Sequence, residues 1–339
     1  MTDDSLKTLF HPFETGDLPV PPKGGRVLFL GAGPGLRLPD DFAVDLTLIQ
    51  PFRPPFRALE AAGLAVFPQA EGMGYDAAFI LCGRHRRRNE AWIADALARV
   101  KAGGLVLVAG SKVNGMDSLR RKLAGMVPLA GSLAKYHGIA FWFPRAAEMA
   151  AVAGALAPGA LPLVDGRFRT APGMFSPDHA DPGSRLLVAH LPDDISGGVA
   201  DFGAGWGYLA AELLSRSDAV SRIDLYEADF EALEAARGNL AAVRSSAKTG
   251  FFWSDLLSEP VERRYDFIVM NPPFHTGRAA EAAIGQGMIL AAARALKPGG
   301  RLYLVANRQL PYEQLLAREF RQSGEAVRDA RYKVLWAVR

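Results

Sequence analysis

Two stretches carry the reading of the fold: VADFGAGWGYLA at 199–210 and RVLFLGAGPGL at 26–36. In each, an apolar strand-like run ends in glycines spaced two apart, Gly203, Gly205 and Gly207 in one and Gly31, Gly33 and Gly35 in the other. Glycines directly after a buried strand let the backbone turn tightly and come close to a ligand. Outward from the loops the correspondence continues. A second strand-like run follows each, DLTLIQ (45–50) or RIDLYE (222–227), and then a helical pattern, FRALEAAGL (56–64) or FEALEAARGNL (230–240). Tyr75-Asp76 opens the run AAFIL as Tyr265-Asp266 opens FIVM, and both lead through a helix to VKAGGLVLVAG (100–110) and LKPGGRLYLVAN (296–307). Four matched elements in one order predict a duplicated α/β unit, that is, two tandem doubly wound, Rossmann-like domains. The expected boundaries are a first domain over 1–150, a linker over 151–164 and a second domain over 165–339.

Composition bounds the rest. A chain of 339 residues exceeds the usual single domain, and 49% hydrophobic with 22% charged residues excludes a disordered or collagen-like protein. The formal charge of +3 is compatible with an anionic partner without demanding one. One cysteine, Cys82, excludes an internal disulfide and a cysteine-rich zinc site, and histidines at 11, 85, 137, 179, 190 and 275 lack ligand spacing, so no metal is expected. The N-terminus has neither the basic flank nor the apolar core of a signal peptide. The apolar stretch 146–164 contains Glu148, Pro158 and Pro162 and is mostly Ala and Gly, which predicts a surface helix and linker in place of a membrane span. A cytoplasmic protein without membrane contact is the expectation.

The two copies differ where chemistry would sit. Aligned on the glycines, Phe29 stands opposite Asp201, Gln50 opposite Glu227, and LCGR (81–84) near Asn271-Pro272-Pro273-Phe274. The first copy thus keeps a scaffold and lacks the polar groups. In the second, Asp201, Gly203 and Gly205 suit a ligand cradle, and Glu227 at the next strand end suits both hydroxyls of a ribose; a dinucleotide site would explain this much almost as well. Asn271-Pro272-Pro273-Phe274 breaks the tie. Consecutive prolines fix φ and restrict the residue before them, so the Asn side chain and a backbone carbonyl are held in one orientation. Two such acceptors match the two hydrogens of a planar exocyclic amine, and the Phe ring can stack on the base that carries it.

With these residues in place, the second half resembles the class I S-adenosylmethionine-dependent methyltransferases. FRTAPGMFSPDHADPGSRLL (168–187), VADFGAGWGYLA, MNPPFHTG (270–277) and LYLVANRQLPYEQLL (302–316) closely resemble the ribosomal RNA small-subunit guanine-N2 methyltransferases, a family that also carries a duplicated, degenerate N-terminal copy. The resemblance implies S-adenosylmethionine as cofactor. Asp201, Gly203 and Gly205 would cradle its methionine end, Glu227 would hold the ribose, and Asp255 with Leu256 would meet the adenine. It further implies that Asn271, Pro272 and Phe274 hold the target base, with Pro273 beside them and Phe175 and Ser176 on a loop flanking the cleft. Trp206 in the glycine loop departs from the commoner pattern, and similarity fades in the N-terminal third.

The expected activity is methyl transfer to the N2 amine of a guanine in ribosomal RNA, on the RNA or the small subunit, by a protein that works as a monomer. The alternatives are an adenine-N6 or glutamine-amide methyltransferase using the same tetrapeptide, and a non-catalytic RNA-binding protein. The run Arg84-His85-Arg86-Arg87-Arg88 follows a predicted strand of the first copy. There Arg86, Arg87 and Arg88 either contact RNA phosphates or form a solvated helix start, and Arg120, Arg121 and Lys122 could extend the same patch.

Overall fold

A computed structural model describes residues 4–157, 159, 161–171, 173–273 and 278–339. The chain divides into two compact units, Met1–Ala160 and Leu161–Arg339. The first contains α1 (Asp4–Glu14), β1 (Arg26–Leu30), β2 (Asp45–Ile49), α2 (Arg53–Ala61), β3 (Val66–Phe67), β4 (Tyr75–Cys82), α3 (Arg86–Arg99), β5 (Val100–Ser111), α4 (Met116–Ala124), β6 (Gly131–Lys135), β7 (Gly138–Pro144) and α5 (Ala150–Leu156). The second contains α6 (Pro182–Ala189), β8 (Gly197–Phe202), α7 (Tyr208–Arg216), β9 (Val220–Glu227), α8 (Phe230–Ala241), β10 (Lys248–Trp253), β11 (Tyr265–Met270), α9 (Arg278–Ala295), β12 (Leu296–Asn307), α10 (Glu313–Glu319), β13 (Gln322–Arg328) and β14 (Tyr332–Val338).

Each unit is built on a seven-stranded sheet. The orders, β3-β2-β1-β4-β5-β7-β6 and β10-β9-β8-β11-β12-β14-β13, are the same permutation, which is the structural form of the duplication. Five strands of each sheet are parallel and the last two join as an antiparallel hairpin. The central strands are buried on both faces, as parallel strands covered by helices must be: Val27 to Leu30 and Val199 to Phe202 are all buried. Both sheets reverse direction beside their first strand, and the crevice at such a point, above the carboxyl ends, is where doubly wound sheets bind ligands.

Two features refine the sequence reading. The stretch 151–164 is not free linker. Ala150–Leu156 is helical, and Leu156 is buried in the first unit's core with Ile93, Leu97 and Phe141; the contact boundary falls later, between Ala160 and Leu161. Secondly, the first unit has no helix between β1 and β2, where the second has α7. Pro34 and Pro39 lie in that connection, and each removes an amide donor that a helix would use. Among the described residues no helix is long and apolar enough to cross a membrane. Cys82 is buried at the end of β4, and burial pushes its thiol well above the usual range.

Candidate active site

Four strand ends of the second unit converge. Asp201 and Phe202 finish β8, which pairs with β9 through Phe202 and Tyr226 and with β11 through Asp201 and Val269. Beyond β8 the chain turns over Tyr226, whose carbonyl accepts from the amides of Gly203 (2.9 Å) and Ala204 (3.1 Å). Gly203, Gly205 and Gly207 all have positive φ, +74°, +53° and +87°, a path that a non-glycine backbone follows only under strain. A Cβ on Gly207 would also lie 3.0 Å from that of Ala236, whereas one on Gly205 would meet nothing within 4 Å, so this part of the loop borders open space. Helix α7 starts directly afterwards and turns its amino end toward the loop.

The Asp201 carboxylate is fully buried. One oxygen accepts from the amide of Ala210 in the first turn of α7 (3.1 Å), and the other has no partner among the described residues. Burial pushes its pKa up to about 8, the Ala210 amide pulling it down and the nearby Glu227 raising it. Glu227 follows at the end of β9. Its oxygens accept from the amides of Gly205 (2.7 Å) and Asp229 (2.8 Å), and burial raises its pKa to about 6 against those two donors. β10 runs beside β9, and the Ser254 amide donates to the Glu227 carbonyl (2.9 Å), which brings Asp255 and half-buried Leu256 to the same edge. The Asp255 carboxylate caps a turn, accepting from the Leu257 amide (3.0 Å) and the Ser258 hydroxyl (2.6 Å).

Asn271 follows β11 and adjoins the glycine loop: a Cβ on Gly203 would lie 3.9 Å from the Asn271 carbonyl oxygen. Its side-chain NH2 donates to Asp181 Oδ2 (3.0 Å) and Ser184 Oγ (2.8 Å). An ionised carboxylate can only accept, so Asp181 fixes which end of the amide faces it. Asn271 Oδ1 therefore points the other way, buried and without a partner among the described residues. Asp181 itself is held as the N-cap of α6, accepting from the Ser184 amide (2.8 Å). Pro272 is buried and Pro273 exposed; Phe274 lies outside the described residues, as does His275.

A cavity is lined by Phe175, Ser176, Asp181, Ser184, Gly203, Gly205, Trp206, Tyr208 and Asn271, among others. Trp206 ties two of its walls together, because its indole N–H donates to the Phe175 carbonyl (3.0 Å). Ser176 holds φ at +46°. The structure thus gathers Asp201, Gly203, Gly205, Glu227, Asp255, Leu256, Asn271, Pro272, Phe175 and Ser176 from the second unit. It places Arg86, Arg87 and Arg88 in the first unit, at the start of α3, where Arg86 pairs with Glu90 (2.9 Å), a residue also paired with Lys122 (3.0 Å). Sequence reasoning missed Asp181 and Ser184. The signal was present as Asp181-Pro182-Gly183-Ser184, a helix start with proline at its first position.

Comparison with known proteins agrees with this geometry. The model of the methyltransferase small domain matches residues 165–336. Ribosomal RNA small subunit methyltransferase C of Klebsiella pneumoniae is 34% identical over 257 residues, covering 71% of this chain and 69% of that protein. The chain belongs to the ribosomal RNA small subunit methyltransferase C family. The Salmonella newport member is 34% identical over 252 residues, covering 73% of this chain and 70% of its own. The family fold extends over both units: a T. thermophilus 16S rRNA N2 guanine methyltransferase, in complex with AdoMet and guanosine, superimposes with a TM-score of 0.79 at 27% identity, covering 100% of this chain and 92% of that one. The orphaned oxygens of Asp201 and Asn271, with the open cradle at Gly205, fit a cofactor and an amine presented side by side.

Proposed function

We propose that this chain methylates the N2 amine of a guanine in small-subunit ribosomal RNA, with S-adenosylmethionine as donor. The observation that carries the reading is the buried, unpartnered Oδ1 of Asn271 beside a glycine cradle, in a chain of this family. S-adenosylmethionine, when bound, supplies a methyl group already activated on a sulfonium. Asp201 Oδ1 and the loop at Gly203 and Gly205 would hold its methionine end, Glu227 its ribose, and Asp255 with Leu256 its adenine. Asn271 Oδ1 and the Pro272 carbonyl accept the two hydrogens of the guanine amine, with Phe274 stacked on the base and Pro273, Phe175 and Ser176 at the rim.

Two acceptors on one NH2 group fix the direction of the nitrogen lone pair, so alignment supplies much of the rate. Positive charge develops on that nitrogen as it is methylated, and both oxygens bind it more strongly then than before. The released proton passes to water. One chain supplies every residue named, so a monomer suffices, and ribosomal RNA places the reaction in the cytoplasm. Arg86, Arg87 and Arg88 would bind RNA phosphates; replacing all three with Ala should flatten the slope of log affinity against log salt.

Mass spectrometry of nucleosides after reaction with small-subunit RNA, and separately with assembled subunits, tests the reading. N2-methylguanosine is expected, and the guanine at position 1207, named for the T. thermophilus relative, is the first to map. N6-methyladenosine in its place would refute the substrate.

A further inference from the structure

We propose that the tip of the β6–β7 hairpin, with Tyr136, His137, Lys135 and the neighbouring Lys112, is a contact site for single-stranded ribosomal RNA on the first unit. The inference rests on the reading of ribosomal RNA as substrate. It begins with backbone strain. Lys135 pairs with Gly138, leaving Tyr136 and His137 as a two-residue loop, and both hold positive φ, 50° and 58°. Such a loop is ordinarily Asn-Gly, because φ above zero is unfavourable for a side chain as bulky as Tyr. Only two other non-glycine residues among those described adopt positive φ.

The fold does not require this turn. The corresponding hairpin of the second unit, β13–β14, closes through Asp329, Ala330 and Arg331 without positive φ, the Asp329 carboxylate accepting from the amides of Arg331 (2.7 Å) and Tyr332 (2.6 Å). Strain kept at a loop tip, where a cheaper turn is at hand, points to the side chains it presents.

Those side chains form an aromatic and cationic surface. Tyr136, His137, Lys135 and Lys112 are all exposed. Lys135 Nζ lies 5.8 Å and Lys7 Nζ 5.9 Å from the Tyr136 ring centre, and the His11 ring meets it edge-on at 5.3 Å. Lys7 and His11 are balanced by Asp4 (3.3 Å) and Glu14 (3.1 Å). Lys112 and Lys135 have no ion-pair partner among the described residues, and the Lys112 amide donates to the His137 carbonyl (3.0 Å), which sets this lysine beside the tip. The surface is preorganised. Thr8 of α1 donates to the Lys135 carbonyl (3.0 Å), and a Cβ on Gly138 would come within 2.4 Å of Thr8 Oγ1. An open concavity of about 510 Å³ adjoins it, with Lys112 and the Arg120–Asp117 ion pair (3.0 Å) on its walls and Leu133 and Ile139 among its apolar lining.

A ring flanked by lysines is what an unpaired base and its phosphates recognise, the base by stacking and the phosphates by charge. A protein partner fits less well. On this hairpin and the adjoining turn over 112–114, Tyr136 and Val113 are the large apolar side chains that are exposed, too little for a dry interface.

The test uses the full chain, with protein-free small-subunit RNA and assembled subunits as probes, and follows RNA affinity across salt, S-adenosylmethionine affinity and Tm. Replacing the tip by Tyr136→Asn with His137→Gly should raise Tm by about 2–4 °C through relief of strain and weaken RNA binding about tenfold through loss of stacking. Lys112→Ala with Lys135→Ala should lower the salt slope by about 1.4, the single-strand value for two phosphate contacts. Cofactor affinity should hold in both. A tip variant that gains stability and binds RNA like the parent would reduce Tyr136 and His137 to a turn and overturn the proposal. Unchanged binding to free RNA with weaker binding to assembled subunits would assign the surface to a protein partner, and overturn it as well. Absence of any RNA binding or methylation by the parent chain would instead refute the substrate reading itself.

Discussion

Phe29 and Asp201 occupy the same step of the same strand in two copies of one fold, paired across to Phe79 and Val269 respectively. In the first unit the Phe29 ring packs edge-on against Phe10 and Phe79, with centroids 6.4 and 6.0 Å away, inside an apolar cluster. In the second a carboxylate is buried with one oxygen unpartnered. The next strand end repeats the contrast with reversed polarity. Gln50 donates to the Ala32 carbonyl (2.6 Å) and accepts from the Phe52 amide (3.0 Å), whereas Glu227 accepts from the loop at Gly205 and from Asp229. Gly33 lies outside the left-handed region that Gly205 occupies, no helix follows Gly35, and Trp92 stands against Gly31 where Met288 stands against Gly203.

The pair teaches that the sheet does not need its polar residues to fold. A buried carboxylate with one oxygen unpartnered costs free energy, a cost that a ligand bound there under the proposed reading would offset. The first unit shows what the fold adopts when that demand is lifted: aromatic packing at Phe29 and a loop closed on itself by Gln50. Substitutions at Asn271 and Glu227 move the second unit toward the first.

The largest effect is expected at Asn271, whose counterpart Leu81 has no side-chain acceptor. Asn271→Ala should lower methyl transfer about a hundredfold or more, the scale of losing one preorganised contact in the transition state, with S-adenosylmethionine affinity nearly unchanged. Single-turnover rates beside calorimetry check both halves of that statement. Equal loss of rate and cofactor affinity would show that Asn271 serves the cradle. Next comes Glu227→Gln, which installs the first unit's residue. Cofactor affinity should fall about thirtyfold as a charged acceptor becomes neutral, while the rate at saturating cofactor changes less. Calorimetry on the same variant distinguishes the two.

Asp181 should matter less and differently, because it acts through Asn271. In Asp181→Asn the residue at 181 can donate as well as accept, so the Asn271 amide is no longer confined to one orientation. A fall of about tenfold in kcat with little change in the KM for cofactor is expected, and Asp181→Glu should recover part of it. A purely structural role would instead lower Tm and leave kcat per folded molecule unchanged.

This residue also marks where the sequence stops being legible. Glycine spacing, Gln50 against Glu227 and Phe29 against Asp201 could be read directly, because each lies within a few residues of a strand whose place in the sheet follows from the repeat. Asp181 and Ser184 reach Asn271 across some 90 positions, and Asp-Pro-x-Ser is an ordinary helix start, so nothing local announces the contact. A surface helix and linker is the expectation over 146–164, but a composition rich in Ala and Gly does not reveal that Ala150–Leu156 packs on the first unit; Leu156, its one buried side chain, decides that packing. The absence of a helix after Gly35 is marked in the sequence by Pro34 and Pro39, each of which removes an amide donor.

The smallest effect concerns stability and returns to Asp201. Its pKa is raised by burial to about 8, above the ordinary value of 3.8, so the folded state binds a proton more tightly than the unfolded chain between those limits. Stability of the second unit without cofactor should therefore be greatest below about pH 4 as far as this group is concerned, and decline as pH rises toward 8. Glu227, raised to about 6, adds a decline of the same sign in the lower part of that window. Other groups shape the whole curve, so the informative quantity is a difference between variants. Asp201→Asn cannot ionise and keeps an oxygen for the Ala210 amide; its Tm should exceed the parent's by several °C more at pH 8 than at pH 5, because most of the window between 3.8 and about 8 is crossed between those two values. Calorimetric scans of the cofactor-free proteins at both pH values measure this directly. A gap that is the same at both would mean that Asp201 is already ionised at pH 5, and that the Ala210 amide and the start of α7 hold its charge without help from a ligand.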